Sequence, residues 1–424
     1  MIPAFAKTAA SPRPVASDAA PIAFEVHALG ALPSTWRDRW RSLRAAQPAA
    51  GFEHHPDWYR AIDAHLLPGR LRVACARDAR GAIALLPFDA GPAAAASGAA
   101  DGGGDDRGAG AGTAARAGGG LRARLDGRAL RHPHHPHLPL SDVLLHPALD
   151  PAETRALVGR LIAAAAPHSV LWRIADLPAD SVLGGALGAE TAAPEGWSRR
   201  PSRASARFAL DGDACHPPGK LRRNLARLRR RLATRGALRV ETVTGADGAP
   251  TAARLEAAFE RFLAVEASGW KGEEGTAIAR DPALTGFYRA LLAPREPGLA
   301  ARIDLLWLDE ECVAAQYALV TDRRLSLLKI GYDERHADCS PGSLLLESTL
   351  EHARAAGLAT LSLVTSPPWA ARWHPEERAL WHVVRYVDSM EGRARRVLDR
   401  LGHSARRRLR GDAGRAGSRQ DDTS

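Results

Sequence analysis

The stretch of residues 302–364 constrains the fold most, because three apolar runs, a turn and an amphipathic helix follow each other there without spare residues. The runs are Ile303–Leu308, Cys312–Val320 and Leu325–Ile330. Short polar turns separate them, a pattern that predicts antiparallel strands. A helix is predicted from Pro341 towards Gly357, and Leu361–Val364 is predicted to return as a strand. The stretch therefore indicates an α/β domain.

The predicted helix begins with the sequence Ser340-Pro341-Gly342-Ser343. We expect the Ser340 hydroxyl to cap the helix, and Pro341 suits its first position because proline has no N–H to leave unpaired. No acidic residue occupies the first turn, so the amides and the positive end of the helix dipole are open to a phosphate or diphosphate. Two interpretations follow from these residues, a simple helix cap or a phosphate-binding site.

An earlier part of the chain repeats the same order of predicted elements. Its hairpin, strand, helix and strand are Leu71–Ala76 with Ala82–Phe88, Leu138–Leu145, Asp150–Ala166 and Val170–Ile174. This repetition suggests a duplicated architecture, although the two sequences hardly match. Asp150 and Glu153 place two carboxylates at the start of the first helix. We therefore expect only the second half to bind an anionic cofactor.

Composition sets the outer limits of the function. A chain of 424 residues with 45% hydrophobic residues is long enough for two domains, each with its own core. The net charge of +10 favours acidic partners such as the phosphates of coenzyme A, RNA or an anionic membrane, and solubility explains it equally well. The four cysteines, Cys75, Cys215, Cys312 and Cys339, lie far apart without metal-ligand or paired spacing. This usage predicts a reduced, cytoplasmic setting.

Two segments are strongly basic. The predicted helix Lys220–Arg235 has leucines on one face and arginine or lysine over most of the remainder. Such a stripe fits contact with RNA, a nucleotide-linked sugar or anionic lipid, and equally a helix packed on the sheet with solvated arginines. The absence of interleaved aromatic residues disfavours nucleic acid. The segment Arg393–Arg415 places Val397, Leu398 and Leu401 beside many arginines and suggests peripheral contact with an anionic membrane.

Other tracts are predicted to lack a packed structure. The leader 1–21 is rich in Ala, Pro and Ser without the continuous apolar centre of a secretory signal. The tract 90–120 consists mainly of Ala, Gly and Asp and is predicted to be a flexible insertion. The cluster His132–His137 invites a metal hypothesis. Its prolines impose extended backbone and no cysteine or paired carboxylate lies nearby in the chain, so we predict a solvated loop and no metal.

Several further segments share one resemblance. They are the helix Lys220–Arg235, EASGWKGEEGT at Glu266–Thr276, DPALTGFYRAL at Asp281–Leu291, Cys312–Ala318 and KIGYDERHADCSPGSLLL at Lys329–Leu346. In order and spacing, residues 207–386 resemble the acyltransferase domain of the GNAT superfamily, in the CelD-type branch of cellulose-biosynthesis acetyltransferases, which is itself similar to Fem-type transferases. The resemblance implies tandem GNAT-like domains, each a mixed, mainly antiparallel sheet flanked by helices.

The resemblance also implies that acetyl-CoA, or another acyl-CoA, is the co-substrate. The donor-binding residues that it implies are Lys329, Ile330, Gly331, Ser340, Gly342, Ser343 and Leu344. The candidates for proton transfer are Tyr332, Asp333 and His336, and the candidates for acceptor binding are Trp270, Lys271, Trp373 and His374. Relatives carry a Gly followed by a Tyr-Lys pair after the last strand, whereas this chain has Ser366–Trp373 there. A substrate contact made by that lysine therefore has no counterpart.

These observations predict four regions. They are the leader 1–21, a degenerate GNAT-like domain 22–206 containing the insertion 90–120, a GNAT acyltransferase domain 207–390, and a basic helix with a disordered tail 391–424. The predicted function is direct acyl transfer to a small molecule or sugar, such as an envelope or exopolysaccharide precursor. Aminoacyl transfer from charged tRNA, as in Fem-type relatives, is one alternative. A non-catalytic binding protein at the membrane is another.

Overall fold

The structure is a computed structural model, and it describes residues 21–47, 50–79, 81–91, 125, 127–188, 193–211, 217–245, 251–268 and 277–401. Four predicted segments fall outside these ranges, apart from residues 21, 90 and 91. They are the leader 1–21, the insertion 90–120, the loop 269–272 and the tail beyond residue 411.

Thirteen strands within the described residues form one mixed sheet. They are β1 Ala23–Ala28, β2 Leu71–Asp78, β3 Gly81–Asp89, β4 Ala129–Arg131, β5 Leu144–Leu145, β6 Leu171–Pro178, β7 Trp197–Ala209, β8 Leu238–Thr244, β9 Ala300–Leu308, β10 Glu311–Thr321, β11 Arg324–Tyr332, β12 Thr360–Ser362 and β13 Glu376–Tyr386. Their order is β1-β2-β3-β4-β6-β13-β7-β12-β11-β10-β9-β8, and β5 pairs with β3. The three apolar runs between residues 303 and 330 form β9, β10 and β11, as predicted.

Helices cover both faces of the sheet. They are α1 Ser34–Ala45, α2 Pro56–Ala61, α3 Pro151–Ala165, α4 Val182–Ala186, α5 Gly219–Ala233, α6 Thr251–Ser268, α7 Pro282–Ala290, α8 Pro341–Ala355 and α9, residues 390–401. The predicted leucine face of α5 is buried, and Gly357 adopts a positive φ of 73° just beyond the end of α8, as a helix-terminating glycine does. These observations confirm a mixed α/β fold.

The sheet consists of two similar halves that exchange their last strands. In each half, four antiparallel strands are followed by a parallel strand and then by an antiparallel closing strand. The strand that closes the first half is β13, from the end of the chain, whereas β7 closes the second half. These two strands pair with each other along the seam between the halves. The predicted domain boundary at 206/207 therefore falls inside a strand.

One hydrophobic cluster includes residues from both halves. It joins α1 and α2 of the first half to α6 and α7 of the second. The ring centroids of Trp58 and Phe287 are 5.1 Å apart in an edge-to-face contact across this junction. Aromatic pairs of this geometry stabilise a fold by about 0.5–1.5 kcal/mol beyond the burial of their area. The halves are thus held by a shared core as well as by the strand seam.

The predicted strand Leu138–Leu145 is wrong over most of its length. Only Leu144–Leu145 are in a strand, and the preceding residues form an irregular segment. Its backbone amides bond elsewhere: the Leu138 N–H donates to the His135 carbonyl at 2.9 Å and the Ser141 N–H donates to the Asp176 carbonyl at 3.3 Å. Pro139 has no N–H to give to a ladder. The alternation of apolar residues here reflects burial against the core.

Helix α9 packs on the sheet with its charged face inward. Arg395 is 1% exposed and forms an ion pair with Asp399, Nε to Oδ2 at 3.0 Å. Its outer face carries Met390, Val397 and Leu401, which are 89%, 55% and 62% exposed. The inner face thus combines this ion pair with Leu398, which packs on a small buried cluster, and leaves three apolar side chains exposed, whereas an ordinary surface helix buries its apolar face. None of the helices in the described parts of the chain combines the length and the hydropathy that a membrane span requires.

Candidate functional site

A cleft opens where β11 and β12 separate. The two strands pair in parallel only from Arg324 to Ser326, whereas β11 continues to Tyr332. On its other edge β11 pairs with β10, and a register shift inserts Leu328 as an extra residue: Tyr317 lies opposite Lys329 and Ala318 opposite Leu327. A β-bulge bends and twists its strand. Thus β11 diverges from its short neighbour and leaves a cavity of about 580 Å³.

Both halves of the molecule contribute to the walls of this cleft. Its lining residues are Pro136, His137, Pro139, Arg203, Leu327, Leu328, Lys329, Ile330, Tyr332, Ala337, Ser340, Gly342, Ser343, Leu363, Val364, Thr365, Pro367, Trp369 and Arg372. Arg203, Lys329 and Arg372 are cationic, and none of these lining residues is acidic. Arg203 is neutralised by Asp176, Nη2 to Oδ2 at 2.8 Å. The cleft still presents a positive field, which suits an anionic ligand.

Helix α8 begins at the cleft, but its start differs from the predicted cap. Ser340 adopts the left-handed conformation, with φ 49° and ψ 56°, and its hydroxyl makes no capping hydrogen bond. The predicted side-chain cap is therefore wrong. The Ser340 carbonyl accepts from the N–H groups of Ser343 and Leu344 at 2.9 and 3.2 Å. The N–H of Gly342 makes no hydrogen bond to any described residue, so this amide is available to a ligand.

The corresponding helix of the first half is closed to anions. The Asp150 carboxylate accepts from the N–H groups of Ala152 and Glu153 at 2.7 and 2.8 Å, and the Glu153 side chain accepts from the Asp150 N–H. This reciprocal capping box satisfies the first amides of α3 and surrounds them with negative charge. The two helix starts thus differ as their sequences predict.

Arg372 lies at the start of α8 and was not singled out from the sequence. Its Nη2 donates to the Ser343 hydroxyl at 2.6 Å from the 3-10 segment Pro368–Trp373. This segment belongs to the run in which the chain departs from the GNAT pattern. Arg372 adds a cation to the positive end of the helix dipole, and charge-assisted hydrogen bonds of this kind contribute about 1.5–3 kcal/mol each. The only local signal was an arginine following a Pro-Pro-Trp turn.

Of the three residues predicted for proton transfer, only Tyr332 lines the cleft. The Asp333 carboxylate accepts from the Arg335 backbone N–H and from its Nε at 2.9 and 3.1 Å. These bonds to Arg335 hold the pKa of Asp333 below its ordinary value, so the carboxylate stays ionised and engaged. His336 lies beside Arg235, Nδ1 to Nη1 at 3.4 Å, away from the cleft lining. Asp333 begins a 3-10 turn and is not positioned as a base.

The predicted binding residues also divide between the cleft and the core. Lys329, Ile330, Ser340, Gly342 and Ser343 line the cleft. Four others do not. Leu344 is buried in the core and its N–H donates within the helix, and Trp373 is only 4% exposed and packs against Phe208. His374 is exposed outside the cleft, and Gly331 packs against α6. Trp270 and Lys271 lie outside the described residues.

A second polar group in the cleft comes from the loop between β4 and β5. The His137 Nδ1 is 3.3 Å from the Tyr288 hydroxyl, and the Lys329 ammonium is 5.8 Å from the centroid of the Tyr288 ring. Burial raises the pKa of Tyr288 well above its ordinary value, so the phenol remains protonated. His137 therefore brings an imidazole from the first half to the cleft of the second. In the sequence, the only feature that sets His137 apart is its position in a tract rich in proline and histidine.

The other histidines of that tract are dispersed. His132 is buried, with Nε2 3.0 Å from the Asp142 carbonyl, and burial lowers its pKa to about 4. His134 faces a different cavity from His137. Across the ranges that the structure describes, no three potential ligand side chains come together as a metal site would require.

Part of the chain matches a known protein family. Residues 219–377, from α5 to the start of β13, match the family model of the acetyltransferase (GNAT) domain. This match confirms the expected domain type for that segment and supports an acyltransferase. It includes β11, β12 and α8. No curated protein sequence matches the chain.

Among solved structures, the chain is similar to FemX at 10% identity, covering 85% of this chain and 96% of that chain with a TM-score of 0.50. It is also similar to the C-terminal domain of a putative lysylphosphatidylglycerol synthetase from Agrobacterium fabrum, at 13% identity, 87% and 96% coverage and a TM-score of 0.49. A tandem GNAT protein from the clavulanic acid biosynthesis pathway matches at 13% identity, 86% and 98% coverage and a TM-score of 0.41. At this identity, the likeness to FemX shows the fold alone.

Two of the glycines predicted for donor binding should respond differently to substitution by alanine. A Cβ on Gly331 would lie 2.9 Å from the Glu266 Cα of α6, whereas a Cβ on Gly342 would meet its nearest atom, in the Tyr332 ring, at 3.5 Å. We expect Gly331→Ala to lower the free energy of unfolding by about 1–3 kcal/mol because two backbones must separate. Gly342→Ala should change it by less than about 0.5 kcal/mol. Denaturant unfolding of both variants checks this, and equal stability would contradict the packing role of Gly331.

Proposed function

We propose that this chain is an acyl-CoA-dependent N- or O-acyltransferase whose donor binds in the cleft beside β11. The observation that carries the proposal is the start of α8, where an available Gly342 amide, the helix dipole and Arg372 all meet the cavity. A diphosphate fits this group of donors because its charge is spread over several oxygens that accept from backbone and guanidinium together. The GNAT match over residues 219–377 supports the same assignment.

We propose that the donor lies along β11. Its diphosphate lies at Gly342, and the pantetheine arm runs past Ile330 and Lys329 towards the point where the strands separate, near Leu327 and Leu363. The Tyr332 ring lies beside Gly342 and is therefore at the diphosphate end. We accordingly assign Tyr332 to donor binding and not to protonation of the thiolate, because the pantetheine arm separates that position from the thioester.

For the chemical step, we propose His137 as the group that accepts the proton of the acceptor. It lines the cleft and is half-buried, and its contact with the Tyr288 hydroxyl fixes the orientation of the ring. As the new bond from the acceptor nitrogen or oxygen to the acyl carbon forms, His137 takes the acceptor proton, the carbon–sulfur bond breaks, and the leaving thiolate is protonated by the imidazolium through solvent. Positioning and proton transfer supply the rate enhancement without a covalent enzyme intermediate.

For the acceptor, we propose a sugar or an envelope polysaccharide precursor, as in the CelD-type branch. Trp369, which is 39% exposed at the cleft, offers an aromatic surface on which a sugar ring can pack. Aminoacyl-tRNA is the less favoured donor. Part of the charge of the basic helix α5 is paired within the chain, Arg229 with Glu347 and Arg231 with Asp338.

For location, we propose that α9 binds an anionic membrane surface. Its outer apolar residues, Met390, Val397 and Leu401, are accompanied by the exposed arginines Arg393 and Arg400. Apolar residues flanked by arginine are typical of helices that lie in the lipid headgroup region. The charge complementarity selects anionic lipid over a neutral apolar partner.

The donor site predicts that Gly342→Glu weakens acetyl-CoA binding at least about tenfold, because a carboxylate would occupy the diphosphate position. Isothermal titration calorimetry measures this directly. The matched control is Gly185→Glu, at an exposed helical glycine with open space around it. Undiminished binding by the Gly342 variant would remove the donor assignment, and the absence of acetyl-CoA binding in the wild type would favour a non-catalytic protein.

The assignment of His137 predicts that His137→Gln lowers kcat by roughly 10²–10⁴-fold while the dissociation constant of acetyl-CoA changes less than about twofold. Thiol release in the presence of sugar acceptors measures kcat, and calorimetry measures binding. His168→Gln, at an exposed histidine outside the cleft, serves as the control. A His137 variant with full kcat would show that another group, or water, takes the proton.

The membrane assignment predicts sedimentation of the protein with vesicles containing phosphatidylglycerol and its loss in the double variant Val397→Asp, Leu401→Asp. Ala163→Asp, Ala164→Asp introduces the same charge on an exposed face of α3 and should retain binding. Equal losses of vesicle binding in the two variants would show that net charge alone explains the effect. Binding to neutral vesicles would contradict the role of the arginines.

A further inference from the structure

A second cavity, of about 390 Å³, lies mainly in the first half and reaches β7 at the seam between the halves, on the face of the sheet that α9 covers. Its walls come from β4, β6, β7, β13 and α9, and it shares no lining residue with the donor cleft. Four arginines face it, with one carboxylate. These five are Arg131, Arg173, Arg200, Arg395 and Asp399. The counted charge is therefore +3 before any histidine is protonated.

Only part of this charge is neutralised within the protein. Asp399 is committed to Arg395, with Nε–Oδ2 and Nη2–Oδ1 distances of 3.0 and 3.2 Å, and also accepts from the Tyr386 hydroxyl at 3.1 Å. By contrast, the guanidinium groups of Arg131 and Arg200 make no hydrogen bond or ion pair with a described residue. Two arginines thus line a concave site with their donors available, which is the arrangement that binds phosphate or carboxylate groups in a fork geometry.

The buried ion pair fixes the floor of this cavity. Arg395 and Tyr386 are 1% and 5% exposed, and burial, with the adjacent Asp399 carboxylate, raises the pKa of Tyr386 to about 12. The phenol therefore keeps its proton and its bond to Asp399 over the physiological range. A rigid floor of satisfied polar groups beneath available cations is a built site, since its donors need no rearrangement to meet a ligand.

This cavity lies next to the donor cleft. His382 lines the cavity, and Arg203 lines the cleft. The two are close enough for the charge of Arg203 to act on the His382 imidazole. The loop that begins at His132 contributes His134 to the cavity and then His137 to the cleft. Two chemically different pockets thus meet at one short segment.

We propose that this cavity binds the phosphate group of a phosphorylated acceptor. The volume admits a small molecule and not only an ion, and the excess of arginine over acid selects a dianion over a neutral sugar. The identification of this ligand as the acceptor rests on the proposed function. The binding of phosphate itself stands on the cavity alone.

The test is calorimetric titration of inorganic phosphate and glucose 1-phosphate, with glucose as the uncharged comparison. We expect the wild type to bind glucose 1-phosphate and not glucose, and the double variant Arg131→Ala, Arg200→Ala to weaken that binding at least tenfold. Neither side chain pairs with another described residue, so the variant should fold, which its melting temperature checks. Acetyl-CoA binding should change less than twofold, because neither arginine lines the cleft.

The matched control removes two exposed arginines of α5, Arg222→Ala with Arg223→Ala, which have the same charge and no place in the cavity. Equal weakening in both double variants would reduce the effect to net charge and overturn the proposal. Failure of the wild type to bind either phosphate compound would overturn it as well. Phosphate binding that depends on Arg131 and Arg200 in a protein that does not bind acetyl-CoA would retain the cavity and remove only the acyltransferase assignment.

Discussion

The separation of β11 from β12 is the constraint on which the cleft depends. A parallel pair needs a crossover connection, and α8 supplies it, so that the start of α8 lies beyond the carboxyl end of β11. Had β12 paired along the full length of β11, the sheet would fill this space. The three-residue length of β12 and the bulge at Leu328 prevent that. The arrangement of the strands alone therefore places the positive end of the α8 dipole at the cavity, independently of the side chains.

The exchange of closing strands explains why the cleft is built from both halves. With β13 and β7 paired at the centre, only β7 separates the last strand of the first half from the diverging strands β12 and β11. The loop after β4 then reaches the cleft and brings His137 to the Tyr288 hydroxyl. A shared aromatic core holds this arrangement. The proposed base and the proposed donor site therefore belong to different halves, and neither half alone contains the complete site.

Charge is distributed unequally over a duplicated framework. Helix α3 satisfies its first amides with Asp150 and Glu153, whereas α8 leaves Gly342 available and places Arg372 nearby. The available arginines of the first half are found instead in the cavity beneath α9. The two proposed anion sites thus differ in construction, one made by backbone and dipole and the other by guanidinium groups on a sheet face.

The sequence alone determined the features that depend on neighbours in the chain. The strand runs of β9 to β11, the start of α8 at Pro341 and the leucine face of α5 follow from periodicity and turn chemistry, which act over a few residues. The family pattern added seven candidates for donor binding, five of which line the cleft: Lys329, Ile330, Ser340, Gly342 and Ser343.

Tertiary structure alone decided the bulge at Leu328, the exchange of β7 and β13, and the meeting of His137 with Tyr288. It also placed Asp333 against Arg335 and Trp373 in the core. Local pattern cannot specify these, because strand register and side-chain environment are set by contacts between residues far apart in the chain. The left-handed Ser340 shows the same limit. Its residue type is that of a helix cap, but the connection from the preceding 3-10 turn fixes its backbone and turns its hydroxyl away from that role.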